Sequence, residues 1–203
     1  MKDLYALARF SLAGLKLLLA ATLVLGVLYP LAVTGVSQVA LPWRADGSLV
    51  TATGEHTTDP DDAVGSALLG QAVPDDAGLF VPRPSAAGDG YDPLATAGSN
   101  LGPESPELVG LIRERKAAVA AREGVATSSV PPDAVTASAS GLDPDVSPAY
   151  ADLQVARVAA AQGLDESVVR RLVAEHTSGR TAGVLGEPRV NVLALNTAVL
   201  AAR

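Results

Sequence analysis

The chain contains no cysteine, and aromatic residues make up only 3% of its 203 positions. The absence of cysteine excludes disulfides, a thiolate nucleophile, thiolate-bound zinc and lipid attachment through a cysteine. Among its few rings are Phe80, Tyr91 and Tyr150, so Ala, Val and Leu must build most of the core. Lysine is also scarce, with 3 against 12 arginines, and Lys116 is the only lysine beyond residue 16. A nucleotide-hydrolysing P-loop places a lysine behind its glycines to reach the phosphates. Residues 65–71 carry glycines at that spacing, but Gln71 stands in the lysine's place. A Gly-x-Ser-x-Gly elbow is missing, and Ser138 and Ser140 have no base near them in sequence. His56 and His176 are too far apart to read as a helical metal pair. Asp59, Asp61 and Asp62 lack the alternating ligands and turn glycine of an EF-hand.

The first long feature present is apolar: no charged residue occurs between Leu17 and Trp43. As a helix, residues 17–39 would be about 34 Å long, enough to cross a bilayer. Lys2, Arg9 and Lys16 against Asp3 give net +2 before the run, which places the N-terminus in the cytoplasm and the remainder outside. Since the whole chain carries −7, residues 17–203 carry −9, which speaks against nucleic acid as a partner. A cleaved signal peptide ending near Val33-Thr34-Gly35 is the competing reading, although the run exceeds the usual signal length. Thr22, Gly26 and Pro30 recur every four residues, a stripe on which another membrane helix can pack closely.

The expected organisation is a cytoplasmic N-terminus (1–16), a transmembrane helix (17–39), a linker (40–62) and a soluble accessory domain (63–203). The fold class is one N-terminal transmembrane helix followed by a mixed α/β (α+β) extracytoplasmic domain. Residues 48–51 suggest a short strand and residues 63–70 a buried one. Residues 74–103, crowded with Gly, Pro, Asn and Asp, predict a long irregular loop of the kind that carries function. A helix is predicted from Ser105 or Pro106 to about Arg122, stopping at Gly124, and a strand over residues 134–138. Ser147 and Pro148 open a helix that stops at Gly163; Asp165 caps another to about Thr177; Asn191 caps a last one, with Val192, Leu195, Val199 and Leu200 on one face.

Several segments together resemble the C subunit of the bacterial Kdp potassium-transporting ATPase. They are Gly65-Ser66 through Gln71, Arg83-Pro84-Ser85 and Gly98-Ser99-Asn100-Leu101-Gly102-Pro103. Residues 135–144, Gln154 with Arg157-Val158-Ala159, and residues 186–193 complete the set in order. The resemblance implies a non-catalytic accessory subunit of a high-affinity potassium pump in the bacterial inner membrane. Its implied partners are a channel-like potassium-translocating subunit, a P-type ATPase subunit, a small accessory chain and the lipid bilayer. It implies assembly or stabilisation of the complex and assistance to ATP binding by the ATPase subunit. No tightly bound cofactor is expected, ATP acting through the complex. Gln154 is the residue it assigns to nucleotide, with Arg157 one turn away on the same helical face. The same pair, three apart on a helix, also reads as a polar face or a subunit contact. Arg83 and Asn100 are expected to dock on the channel-like subunit, and the stripe of Thr22, Gly26 and Pro30 is expected to meet a partner's membrane helix. The rival class is an independent membrane-anchored hydrolase or solute-binding module.

Overall fold

The computed structural model describes residues 2–203, apart from the side chains of Lys2 and Asp75, and divides into two units. The first ends at Gly47. It is a nearly continuous helix: α1 (Lys2–Leu23), a π-helical turn (Val24–Leu28) and α2 (Tyr29–Ala40), followed by one short turn of helix, α3 (Pro42–Ala45). The stretch Asp3–Ala40 is long and apolar enough to cross a membrane. Helix therefore begins well before the expected start at Leu17. The wide turn has a local cause. Pro30 offers no N–H and its ring crowds the carbonyl four residues back, and just before it the Tyr29 N–H bonds to the carbonyl of Val24, five residues back.

The second unit runs from Ser48 to Arg203. It opens with β1 (Leu49–Thr51), β2 (His56–Thr57) and β3 (Ala63–Ser66), an antiparallel sheet in the order β2-β1-β3. Two of these strands fall in the stretch expected to be linker, so the folded unit takes in chain well before residue 63. The buried strand expected over residues 63–70 is corrected in two respects. It stops at Ser66, whose hydroxyl receives the Leu68 N–H in a turn, and as an edge strand it leaves Val64 exposed. Residues 67–105, which include the irregular loop expected over residues 74–103, are irregular except for one 3-10 turn, Asp75–Ala77.

Helix α4 (Pro106–Glu123) follows and ends at Gly124, whose φ of 67° is the left-handed conformation that glycine adopts without strain. The strand expected over residues 134–138 is absent. Pro132–Ala134 forms a 3-10 turn, and Thr136 folds its N–H and hydroxyl back onto the Pro132 carbonyl, so that the backbone cannot extend. After β4 (Asp145–Val146) comes α5 (Pro148–Gln162), capped by Ser147 with Pro148 in its first turn and closed at Gly163. Asp165 caps α6 (Glu166–Glu175). A hairpin, β5 (Thr177–Ser178) and β6 (Arg189–Asn191), leads to α7 (Val192–Ala201), capped by Asn191. The second sheet is antiparallel, in the order β4-β6-β5.

Helix α5 is the centre of the core. Tyr150, Ala151, Val155, Val158 and Ala159 are buried along it, against Val169 and Val173 of α6 and Val119 and Ala120 of α4. Val192, Leu195 and Val199 complete the core from α7, whereas Leu200, expected on the same face, is 43% exposed. Phe80 enters from the irregular loop and is wholly buried, a contribution of about 2 kcal/mol from transfer alone.

Candidate functional site

The long loop meets the helices through side chains. Asn196 of α7 accepts the Phe80 N–H at 2.9 Å and donates to the Phe80 carbonyl at 2.9 Å. Gln154 of α5 does the same for the next residue, accepting the Val81 N–H at 2.8 Å and donating to its carbonyl at 3.1 Å. Consecutive residues of an extended chain turn their peptide groups to opposite sides, so the two amides hold the segment from two helices. Upstream, Arg157 donates to the Leu79 carbonyl at 3.0 Å, and Gln162 donates to the carbonyls of Ala77 and Gly78 at 2.8 and 3.1 Å. Residues 77–81 are thus bonded as a strand would be, but to side chains. Gly78 makes the approach feasible: its φ is 63°, and a Cβ there would lie 2.5 Å from that of Ala161.

Below this ladder is an ion network. The carboxylate of Glu123 is fully buried and receives Arg122 at 2.6 Å and Arg157 at 2.9 Å. Arg122 also donates to the Tyr150 hydroxyl at 2.9 Å, and Arg157 to the Gln154 oxygen at 2.9 Å. Burial raises the Tyr150 pKa above the ordinary phenol value, against the pull of Arg122. For Arg122, burial opposes the charge, but the hydrogen bond to Glu123 together with Tyr150 holds it above its usual value.

A second layer joins the loop to residues 136–143. Arg83 donates to Asp143 at 2.6 Å and to the Thr136 carbonyl at 3.2 and 3.3 Å. The Ser85 hydroxyl donates to the Gly141 carbonyl at 2.7 Å and receives the N–H of Ala87 and of Tyr91. Thr96 and the Ala97 N–H both bond the Ser140 carbonyl, and the Gly70 N–H bonds that of Leu142. Tyr91 donates its hydroxyl to the Arg83 carbonyl, and burial pushes its pKa up. Gly141 sits where nothing larger fits: its φ is 71° and a Cβ would lie 2.7 Å from the Ala87 nitrogen. The motif segments at residues 65–71, 83–85, 98–103 and 135–144 therefore meet in one two-loop layer.

Of the site residues expected from sequence, Gln154 and Arg157 come together. Both hydrogens and both lone pairs of the Gln154 amide are taken up by Val81, Tyr150 and Arg157. A nucleotide reaching that amide would have to displace them. Arg83 is spent largely within the layer, its side chain 23% exposed. Asn100 is exposed, with φ of 52°. Thr22 and Gly26 share a face of α1 and the π turn: a Cβ at Gly26 would meet the Thr22 methyl at 3.8 Å, and Pro30 lies beyond the wide turn. Sequence reading missed Glu123, Tyr150, Asp143 and Asn196. For Asn196 a signal existed, since a polar residue stands between Leu195 and Val199 on an apolar stripe.

Among the described residues no group of three His, Asp or Glu is placed to hold a metal. An apolar cavity of about 220 Å³ lies between β3, the start of the loop and α7, walled by Val64, Leu69, Val73, Leu79, Val192 and Leu193.

Comparison with known proteins places these features in a family. The KdpC model, described as the c chain of a K⁺-transporting ATPase, matches residues 11–201. A potassium-transporting ATPase KdpC subunit of Kineococcus radiotolerans is 57% identical over 97% of this chain and 95% of its own length. KdpC subunits of Beijerinckia indica and Sorangium cellulosum are 49% and 50% identical, over 88% and 94% of this chain and 86% and 96% of theirs.

Proposed function

Since the chain belongs to the KdpC family and is an accessory subunit of a potassium-transporting ATPase, we propose that it assembles and stabilises the pump through its two-loop layer, without catalysis of its own. The observation that carries this reading is the convergence of four motif segments, 65–71, 83–85, 98–103 and 135–144, in that layer. There the charged and hydroxylated side chains bond to the chain itself, and the outer edge exposes Leu94, Asn100, Ala139 and Ser140. Such an arrangement shapes a surface and leaves chemistry to the other subunits.

In this reading Asp3–Ala40 crosses the membrane once, with its basic N-terminal residues in the cytoplasm. The domain from Ser48 onward stands outside and meets the channel-like subunit. Cytoplasmic ATP then lies across the bilayer from Gln154, and assistance to ATP binding passes through the partner subunits. Asn100 is a contact residue, while Arg83 holds the contact loop in shape.

Affinity purification of the tagged chain in mild detergent, with mass spectrometry of what accompanies it, tests the assignment. Recovery of a channel-like subunit and a P-type ATPase subunit is expected, with less of the channel-like subunit for Asn100→Ala. Undiminished recovery by that variant would remove Asn100 from the interface. A chain that emerges alone would turn attention to the apolar cavity and the solute-binding alternative, to be screened by ligand-induced thermal shift.

A further inference from the structure

We propose that Asn196, which no motif singles out, and Gln154 form one positioning unit for the contact loop, and that any effect of Gln154 on the pump's use of ATP is exerted by seating that loop. This rests on the accessory-subunit reading above and assigns a residue and a route to it.

Three observations carry it. First, the two side chains do the same work on adjacent residues: each accepts an N–H and donates to a carbonyl, on Phe80 for Asn196 and on Val81 for Gln154, all four bonds between 2.8 and 3.1 Å. Second, both are buried, with Gln154 at 0% and Asn196 at 6% exposure, and the Gln154 amide is fully taken up by Val81, Tyr150 and Arg157. Third, the held segment leads directly into Arg83 and Ser85, which pin the layer that carries Asn100. In a stretch of 39 residues, 67–105, regular structure is confined to one 3-10 turn. The loop's position therefore depends on the few side chains that grip it. Loss of the Asn196 amide strands a buried N–H and carbonyl at Phe80, loss of the Gln154 amide a part-buried pair at Val81, and the remaining bonds must hold the loop without them.

A glutamine that touches nucleotide and a glutamine that seats a loop make different predictions for Asn196. If Gln154 contacts nucleotide, removing the Asn196 amide on a different helix leaves the apparent affinity for ATP alone. If the two form a unit, both removals weaken it alike, and the second removal adds little to the first.

The test uses the assembled pump in detergent or nanodiscs, reading the KM for ATP in potassium-stimulated hydrolysis for Gln154→Leu, Asn196→Leu and the double variant. Val199→Ala is the control, a core truncation on α7 that destabilises the domain but removes no hydrogen bond to the loop. Hydrogen exchange at the Phe80 and Val81 amides is followed in the same samples. Expected are similar rises in KM for both single variants, of about 5-fold or more. The double variant should rise no further, Val199→Ala should leave KM unchanged, and protection at Phe80 and Val81 should fall only in the amide variants. A rise for Gln154→Leu with wild-type KM for Asn196→Leu would overturn the proposal in favour of direct contact. A rise equal to theirs in Val199→Ala would reduce both to general stability. Unchanged KM in both, with the loop visibly loosened, would also overturn it, while recovery of partners in the purification above would leave the accessory role standing. Should Asn196→Leu fail to assemble, Asn196→Asp, which keeps the acceptor and removes the donor, is judged by the same criteria.

Discussion

Arg157 reaches across from α5 to α4 and sets its Nε 2.9 Å from one oxygen of Glu123 and 3.1 Å from the other, with the carboxylate wholly buried. Glu123 answers two guanidiniums at once, Arg122 being the other. Glu123→Gln therefore leaves two cations short of their counter-charge. Breaking a fully buried pair costs about 3–5 kcal/mol. Both arginines keep some solvent access, at 20% and 29%, so about 2–3 kcal/mol is expected here. Urea unfolding of the detergent-solubilised chain, followed by circular dichroism, measures it.

Gly141 and Gly163 share a left-handed backbone but differ in their surroundings, and the difference separates two costs. At Gly163 nothing lies within 4 Å of an added Cβ, so Gly163→Ala is expected to cost only the conformational penalty, about 1 kcal/mol. At Gly141 the same methyl meets Ala87 and the Ala97 carbonyl at 2.7 and 3.0 Å. Gly141→Ala should cost about 2–3 kcal/mol and also reduce recovery of the channel-like subunit, because it forces the two loops apart. Equal losses for the two variants would show that the layer yields without resistance.

Ser48 is buried, adopts a φ of 55°, and its hydroxyl has no hydrogen-bond partner among the described residues. Ser48→Gly removes the unpaired hydroxyl and the left-handed strain together. An increase in stability of about 1 kcal/mol is expected in the same unfolding experiment.

Asp145 and Asp165 pull the pH dependence in opposite directions. Burial raises the Asp145 pKa, with Arg189 opposing and Asp143 adding to the rise. Its contribution is fully present below the unfolded pKa and is lost as pH rises through the folded one. Asp165, which caps α6 through Ser167, has a lowered pKa from that hydrogen bond, so its contribution is present above the unfolded value and is lost as pH falls through the folded one. Both unfolded references lie near 3.8. Relative to wild type, Asp165→Ala should lose more stability at pH 7 than at pH 3, and Asp145→Asn should compare more favourably at pH 7 than at pH 3. Unfolding curves at the two pH values check both signs.

The helices were legible because their ends are written in local chemistry: Ser147 before Pro148, Asp165, Asn191, and the glycines at 124 and 163. The strands were far less so. Five of the six among the described residues are two or three residues long, and four of these, at residues 56–57, 145–146, 177–178 and 189–191, fall where no alternation can register. Residues 134–138 have strand-like composition, yet Pro131 and Pro132 set a turn that composition does not weigh. The candidate site was legible in its motifs but not in its bonds. Arg83 and Gln154 stand out in sequence, while their partners Asp143 and Val81 lie 60 and 73 residues away. Glu123 falls just past the predicted helix end near Arg122, where no local pattern marks it, and only the arrival of α5 makes it a buried counter-ion.

A strand that joins a sheet can slide by two residues and find its partners again, since every second residue offers the same backbone groups on the same side. Residues 77–81 have no such freedom. Their neighbours are four side chains, Asn196, Gln154, Arg157 and Gln162, in a fixed order, and a shift in either direction would carry Phe80 out of its socket and set Gly78 away from Ala161. The segment has one seat and no neighbouring one, so it is held or released as a whole, and misregistered intermediates find nothing to bond.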